Sequence, residues 1–228
     1  MKPNLVVAID GPSGAGKSTV AHGVAQAAGL QSLDTGAMYR AFAIFLRDEG
    51  LTLDEPDAVA EVAERVVIDF DPARPDRVRV SGRDVADEIR NLEVGQMASQ
   101  ASTHSAVRRR LVTLQQAIIA QGRWILEGRD VTTVVAPQAD LKIFLTASIE
   151  ERARRRWLYM QDRGQDLRLQ DVVRDVVERD HRDYTRADSP LSLAEDAEII
   201  ETFGVNPTHV VAQIAARVET LDRGEGKA

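Results

Sequence analysis

Leu5-Val-Val-Ala-Ile-Asp-Gly-Pro-Ser-Gly-Ala-Gly-Lys-Ser-Thr19 is the stretch that decides the fold. The apolar run Leu5–Ile9 has no polar break and stops at Asp10-Gly11-Pro12. Such a run suits a strand buried on both faces of a parallel sheet. From Gly11 to Ser18 the chain satisfies G-x-x-x-x-G-K-[ST], and a helical pattern from Lys17 to about Ala28 follows, closed near Gly29. A strand before and a helix after make this pattern a phosphate cradle. The glycines let consecutive backbone N–H groups turn inward, and the helix N-terminus aims its positive end at the same spot. Gly11, Pro12, Ser13, Gly14, Ala15, Gly16, Lys17, Ser18 and Thr19 are thus expected to hold a nucleotide polyphosphate, with Lys17 on its β- and γ-phosphates and Ser18 on Mg²⁺.

Outward from the loop, a second short strand is expected at about 30–33 and a helix from Ala37 to about Arg47, ended near Gly50. Trp124–Leu126, Leu141–Leu145 and Ala197–Glu201 read as further core strands separated by helical patterns. This alternation predicts an α/β fold: a five-stranded parallel sheet flanked by helices. Val66–Phe70 and Arg77–Val80 break the pattern, punctuated by Pro72, Pro75 and Gly82, and read as a small antiparallel meander at about 60–105. Helices are expected at about Ser105–Ala120, Ile149–Arg163 and Pro207–Leu221, and Arg223–Ala228 reads as a frayed tail.

A cradle of this kind serves GTPase switches, mechanical or regulatory ATPases and small-molecule kinases. A guanine reader of the form Asn-Lys-x-Asp is missing, since the chain has no Asn-Lys pair. The remaining motifs favour a kinase. Asp34-Thr-Gly-Ala-Met-Tyr-Arg40 follows the second strand, with Asp34 and Thr35 where a helix N-cap stands. It is either a capped helix with a solvated arginine or a pair, Thr35 and Arg40, that grips an acceptor phosphate. Glu150-Glu-Arg-Ala-Arg-Arg-Arg156 places four arginines in five residues, and Arg152, Arg155 and Arg156 share a helix face. Such a run is a solvated face or a lid that brings arginines to a phosphoryl group in transfer. Its place after the Leu141–Leu145 strand favours the lid, at about 149–165, with Arg152 and Arg156 joining Lys17 in catalysis.

Together these motifs, with Glu127-Gly-Arg-Asp130 and Arg179-Asp-His-Arg-Asp-Tyr-Thr-Arg186, resemble the bacterial cytidylate kinases among the nucleoside monophosphate kinases, over nearly the whole chain. The resemblance implies one P-loop kinase domain over 1–228 with a monophosphate-binding insert at about 35–105. It implies transfer of the γ-phosphoryl group of ATP to CMP or dCMP. Thr35 and Arg40 would bind the acceptor's phosphate or sugar end, Ser99 and Arg108 would lie near cytosine, Arg129 would hold phosphate and Asp130 the base. Arg179, Asp183 and Arg186 would contact phosphate or sugar. Relatives often carry serine at the position of Thr35 and aspartate at that of Glu127. Asp130 is either a helix cap after the strand or, on chemical grounds, a base reader, because a carboxylate accepts from the cytosine amino group and repels the uracil carbonyl. Glu127 ends an apolar strand where a carboxylate can hold a Mg²⁺-bound water.

Composition agrees. The net charge of −7 speaks against a general nucleic-acid binder, and only Lys2, Lys17, Lys142 and Lys227 among the 29 basic residues are lysines. There are no cysteines, and no apolar run reaches the roughly 20 residues that cross a bilayer. A cytoplasmic monomer is expected.

Overall fold

The computed structural model describes residues 1–71 and 74–224. Pro72 and the last four residues of the expected tail lie outside the described residues. In chain order, β1 (Val6–Asp10), α1 (Lys17–Ala28), β2 (Gln31–Asp34) and α2 (Thr35–Asp48) come first. The insert continues with α3 (Pro56–Arg65), β3 (Ile68–Asp71), β4 (Arg74–Val80), β5 (Arg83–Asp84) and α4 (Leu92–Ala101). Then follow α5 (Ser105–Ile119), β6 (Trp124–Glu127), β7 (Leu141–Thr146), α6 (Ile149–Gln161), α7 (Leu169–Thr185), β8 (Glu198–Glu201) and α8 (Pro207–Asp222).

The main sheet has the order β2-β6-β1-β7-β8, and all its pairings are parallel. Side chains alternate across it. Leu5, Val7 and Ile9 join Val24, Ile143, Ile214 and Val218 in a core under α1 and α8. Ala8, Leu33 and Leu126 face the other way, into a larger core with Phe42, Ile44 and Leu111. The central position of β1 brings the loop after it to the carboxyl edge of the sheet, where open α/β sheets bind ligands.

The expected meander is present as the antiparallel sheet β3-β4-β5. It is accompanied by two helices that the sequence reading does not contain, α3 and α4, and α7 is a third. Ion pairs fasten β5 and the turn at Glu88 to α2: Arg47 to Glu88 and Asp48 to Arg83, with Arg83 also on Glu88 at 2.8 Å.

The back of the sheet is closed by Arg123. Its Nη1 and Nη2 donate to the Asp222 carboxylate at 2.6 and 2.7 Å, and the Lys2 amide donates to Asp222 Oδ1 at 2.9 Å. The hydrogen bond from Arg123 lowers the Asp222 pKa from 3.8 to about 2. A carboxylate depressed on folding stabilises above its unfolded pKa, and that contribution is lost as pH falls through the folded one. The stability gap between wild type and Asp222→Asn in denaturant titrations is therefore expected to be widest at neutral pH and to close between pH 3.8 and about 2. A gap that does not change with pH would remove this pair from the account.

Candidate active site

The donor half is the loop between β1 and α1. Gly11 has φ 148°, and a Cβ there would lie 2.0 Å from the Leu145 carbonyl oxygen. Gly14 has φ 78°, and its Cβ would lie 2.7 Å from the Arg152 carbonyl oxygen. Only glycine lets the loop sit this tightly on β7 and α6. Ala15 is fully buried beneath it, its amide donating to Pro12 O at 3.4 Å, and Gly16 caps α1. Lys17 Nζ donates to Gly11 O at 2.8 Å and Pro12 O at 2.9 Å. The Ser18 hydroxyl donates to Glu127 Oε1, and Thr19 lines the cleft beside it.

The other half of the cleft is built on α2, the turn after β6, and α7. Asp34 caps α2, accepting from Ala37 N at 2.9 Å, and also accepts from Arg40 Nη2 at 2.8 Å. Thr35 Oγ1 donates to the Glu127 carbonyl at 2.8 Å. Its proton thus joins α2 to β6, while the side chain also lines the cleft. The turn after Gly128 is a single π-helical turn, Val131–Val135, held from β1 by Asp10. Asp10 accepts from Val131 N at 3.0 Å, Thr132 N at 2.8 Å and Thr132 Oγ1 at 2.6 Å. Burial raises its pKa against those bonds. Arg129 and Asp130 sit between this anchor and Gly128, whose amide donates to Ile9 O at 3.0 Å.

Asp130 is buried and accepts from Arg108 Nη2, with Arg186 Nη2 3.9 Å from its other oxygen. Arg108 Nη1 donates to Ser102 O at 3.1 Å, and the guanidinium lies 5.4 Å from the Tyr39 ring centroid. Burial pushes the Tyr39 hydroxyl up to about 12. Ser99 Oγ accepts from Arg182 Nε at 3.1 Å. Arg129 Nε donates to Asp183 Oδ2 at 2.8 Å, and Arg186 Nη1 lies 3.4 Å from Asp183 Oδ1. Burial disfavours the Asp183 carboxylate, but Arg129, Arg179 and Arg186 outweigh it and hold its pKa below the usual range.

The two halves meet in one cleft of about 1030 Å³, which runs from Ser13 and Lys17 to Ser99 and Arg108. Its middle is crowded with cations. Burial, then Arg129, and further Arg179, push the Lys17 amine down to about 7, with Glu127 opposing. Burial, then Arg129, with Arg156 and Arg40 adding, push Arg179 down to about 9 against the pull of Asp183. Among the described residues the buried Nε atoms of Arg179 and Arg156 have no hydrogen-bond partner. Like charges buried this close need an anion.

The arginines of α6 part company. Arg156 lines the cleft and pairs with Asp175 at 3.0 Å. Arg155 also lines it and holds Glu151 at 2.7 Å and Thr202 O at 2.7 Å. Arg152 does not reach the cleft surface; it is buried under the donor loop, donating to Ala147 O and Ser13 O, both at 2.9 Å. Shared helical face did not mean shared destination, because the loop's backbone carbonyls claim the first of the three.

The sequence reading omitted Tyr39 as a cleft group and Asp10 as the anchor of the Arg129–Asp130 turn. A signal for Asp10 existed: an acid directly continuing a fully apolar strand is buried and needs donors. As for Mg²⁺, Ser18 and Glu127 offer a hydroxyl and a carboxylate in mutual contact at the loop's mouth. Burial, then Asp34, raise the Glu127 pKa, so a cation there would be welcome. Among the described residues no group of three or more His, Cys, Asp or Glu stands close enough to hold a metal ion.

The cytidylate kinase family model matches residues 7–220. A cytidylate kinase from Desulfitobacterium hafniense (strain Y51) is 45% identical over 224 residues, covering 96% of this chain and 97% of that protein. One from Cupriavidus necator is 43% identical over 209 residues, covering 92% and 93%. Among solved structures, an uncharacterized protein from Eubacterium ventriosum superposes with TM-score 0.52 at 12% identity, over 95% of this chain and 99% of that one. A gluconokinase from Sinorhizobium meliloti 1021 does so with TM-score 0.50 at 13% identity, over 98% and 97%. These two share the fold.

A polyphosphate on the loop restores the Lys17 charge, so ATP binding is expected to take up protons wherever free Lys17 is already neutral. With a free pKa of about 7 and an ordinary one of 10.5, uptake is expected between those values and is lost below about 7. Calorimetric titrations in buffers of different ionisation enthalpy read it, and Lys17→Met should remove most of it. Equal proton counts on both sides of neutrality would contradict the assigned shift.

Proposed function

The chain belongs to the cytidylate kinase family, matched by its model over residues 7–220 and by relatives up to 45% identical along nearly all of it, and from that premise we propose that it transfers the γ-phosphoryl group of ATP to CMP or dCMP. The observation that carries the reading in this chain is the group of cations, buried Lys17 with the half-buried Arg129, Arg156 and Arg179, between a phosphate cradle and a second polar pocket. A nucleotide switch has no use for a second anion site. A kinase with two phosphorylated substrates requires one.

An oxygen of the acceptor phosphate attacks the γ-phosphorus in line, and the bond to the β–γ bridging oxygen breaks, leaving ADP. That attacking oxygen is already an oxyanion, so no strong general base is needed. Lys17 and the glycine loop hold the β- and γ-phosphates, and Arg129, Arg156 and Arg179 meet the charge that spreads over the equatorial oxygens. Ser18 and Glu127 would hold Mg²⁺, which when bound neutralises phosphate charge. Arg40 is placed for the acceptor phosphate, and Asp183 and Arg186 for its sugar. In the far pocket, Asp130 and Ser99 face the base. Asp130 is fixed by Arg108, and Ser99 accepts from Arg182, which leaves the hydroxyl proton of Ser99 for an acceptor on the ring. No helix of the described residues is long and apolar enough to cross a membrane. One chain supplies every group named, which supports a monomer, and its nucleotide substrates suit the cytoplasm.

Coupled ADP release with ATP, Mg²⁺ and a panel of acceptors tests this. Strong stimulation by CMP or dCMP, weak by UMP and none by AMP is the expected pattern. A flat response across the panel would discard the cytosine reader, and no response to any monophosphate would discard the kinase. Lys17→Ala is expected to lose about 10²–10³ in rate, as on removal of one preorganised charge donor. Asp130→Asn should narrow the preference for CMP over UMP by at least about tenfold, because the repulsive partner for uracil is gone.

A further inference from the structure

The peptide of Ser13 in the donor loop is gripped at both ends by groups from outside the loop. Its carbonyl accepts from Arg152 Nη1 of α6 at 2.9 Å, and its amide donates to Asp180 Oδ1 of α7 at 3.3 Å. The two grips are themselves joined, with Arg152 Nη1 2.7 Å from Asp180 Oδ2. All three residues are buried: Ser13 and Arg152 are 4% exposed and Asp180 8%. Arg152 also donates through Nε to Ala147 O at 2.9 Å, and its carbonyl is the atom that crowds Gly14. The arrangement is a closed ring of contacts in which neither charge can move without leaving the other, or the loop peptide, unpaired.

Asp180 belongs to the same helix turn as two groups of the acceptor half. Arg179 precedes it and faces the cation cluster, and Asp183 follows one turn on, bound to Arg129. We propose that Asp180, with Arg152, is a positioning residue that sets the orientation of the Ser13 peptide in the donor loop and ties it to acceptor binding on α7. This rests on the functional reading above, because it takes α7 to be the acceptor-binding helix. An acceptor phosphate drawn toward Arg179 and Arg129 loads α7, and the loop feels it through Asp180. ATP and CMP then strengthen each other's binding by a factor that must be the same in both directions. The fourth arginine of the run acts on the substrate, while the first acts on the loop.

The test measures binding of ATP alone, CMP alone and ATP with saturating CMP by calorimetry, together with kcat, for wild type, Asp180→Asn and the double variant Asp180→Asn with Arg152→Gln. The double variant removes both buried charges, so it keeps the experiment informative if the single one fails to fold through a stranded arginine. In either folded variant ATP affinity is expected to fall about tenfold and the mutual strengthening to vanish, a coupling of ordinary allosteric size. CMP alone should bind within about twofold of wild type, since the pocket groups are untouched. Retention of wild-type ATP affinity, or an equal loss for ATP and CMP, overturns the proposal. Wild type that binds ATP but shows no turnover with any monophosphate would instead overturn the functional reading and the coupling with it; turnover with unchanged coupling in the variants sinks the inference alone.

Discussion

Repulsion among buried cations is the constraint around which this molecule is arranged. Lys17, Arg129, Arg156 and Arg179 converge at the carboxyl edge of the main sheet; burial first, and then neighbouring cations, push Lys17, Arg156 and Arg179 down, while Asp183 holds Arg129 up. A fold tolerates this only if acids stand behind the cations and the backbone is rigid. Both conditions are met from different parts of the chain. Asp183 backs Arg129, Asp175 backs Arg156, and Glu127 faces Lys17. The parallel strands β1 and β6 deliver the loop and the Arg129–Asp130 turn to fixed heights, with Asp10 locking one to the other.

What the sequence made legible, and what it hid, follow from the same physics. The central strands β1, β6 and β7 read clearly because both of their faces are largely buried and their runs are mostly apolar, whereas the edge strands β2 and β8 are partly exposed and carry polar residues. The glycine loop read clearly because its conformation excludes side chains at Gly11 and Gly14. The helix α7 was hidden for the opposite reason. Its buried stripe is Val172, Val176, Asp180 and Asp183. The helical spacing persists, but halfway along the apolar residues give way to aspartates that point at arginines. A pattern search weighted on hydrophobicity sees half a helix. In α3 and α4, Pro56 at the helix start and Gly95 inside the helix weakened the helical pattern in a segment already read as a meander.

The arginine run shows where reading by spacing stops. Sequence placed Arg152, Arg155 and Arg156 on a common face, and chemistry made each a candidate phosphate ligand. Which carbonyl or carboxylate intercepts a guanidinium depends on tertiary neighbours, here the Ser13 and Thr202 backbones. Thr35 teaches the same lesson. A hydroxyl beside a helix start can face a substrate, yet here it stitches β6 to α2. The long-range partner, not the local motif, decides.

The surface ion pairs that moor the insert to α2 have a consequence for the solvent the protein works in. Arg47, Asp48, Arg83 and Glu88 are between about a third and a half exposed, so dissolved ions reach them readily, whereas Arg129 and Arg156 in the cleft are only 16% and 17% exposed. Ionic strength therefore acts unevenly on one molecule. Added electrolyte shortens the reach of the mooring charges to about 8 Å at physiological levels and less beyond, and it leaves the interior electrostatics nearly intact. The insert is then the part whose dynamics are tuned by the medium, and amide exchange in β4 and β5 should quicken with electrolyte while that in β1 holds steady. Brine and dilute buffer would find the same catalytic apparatus approached by a differently tethered arm.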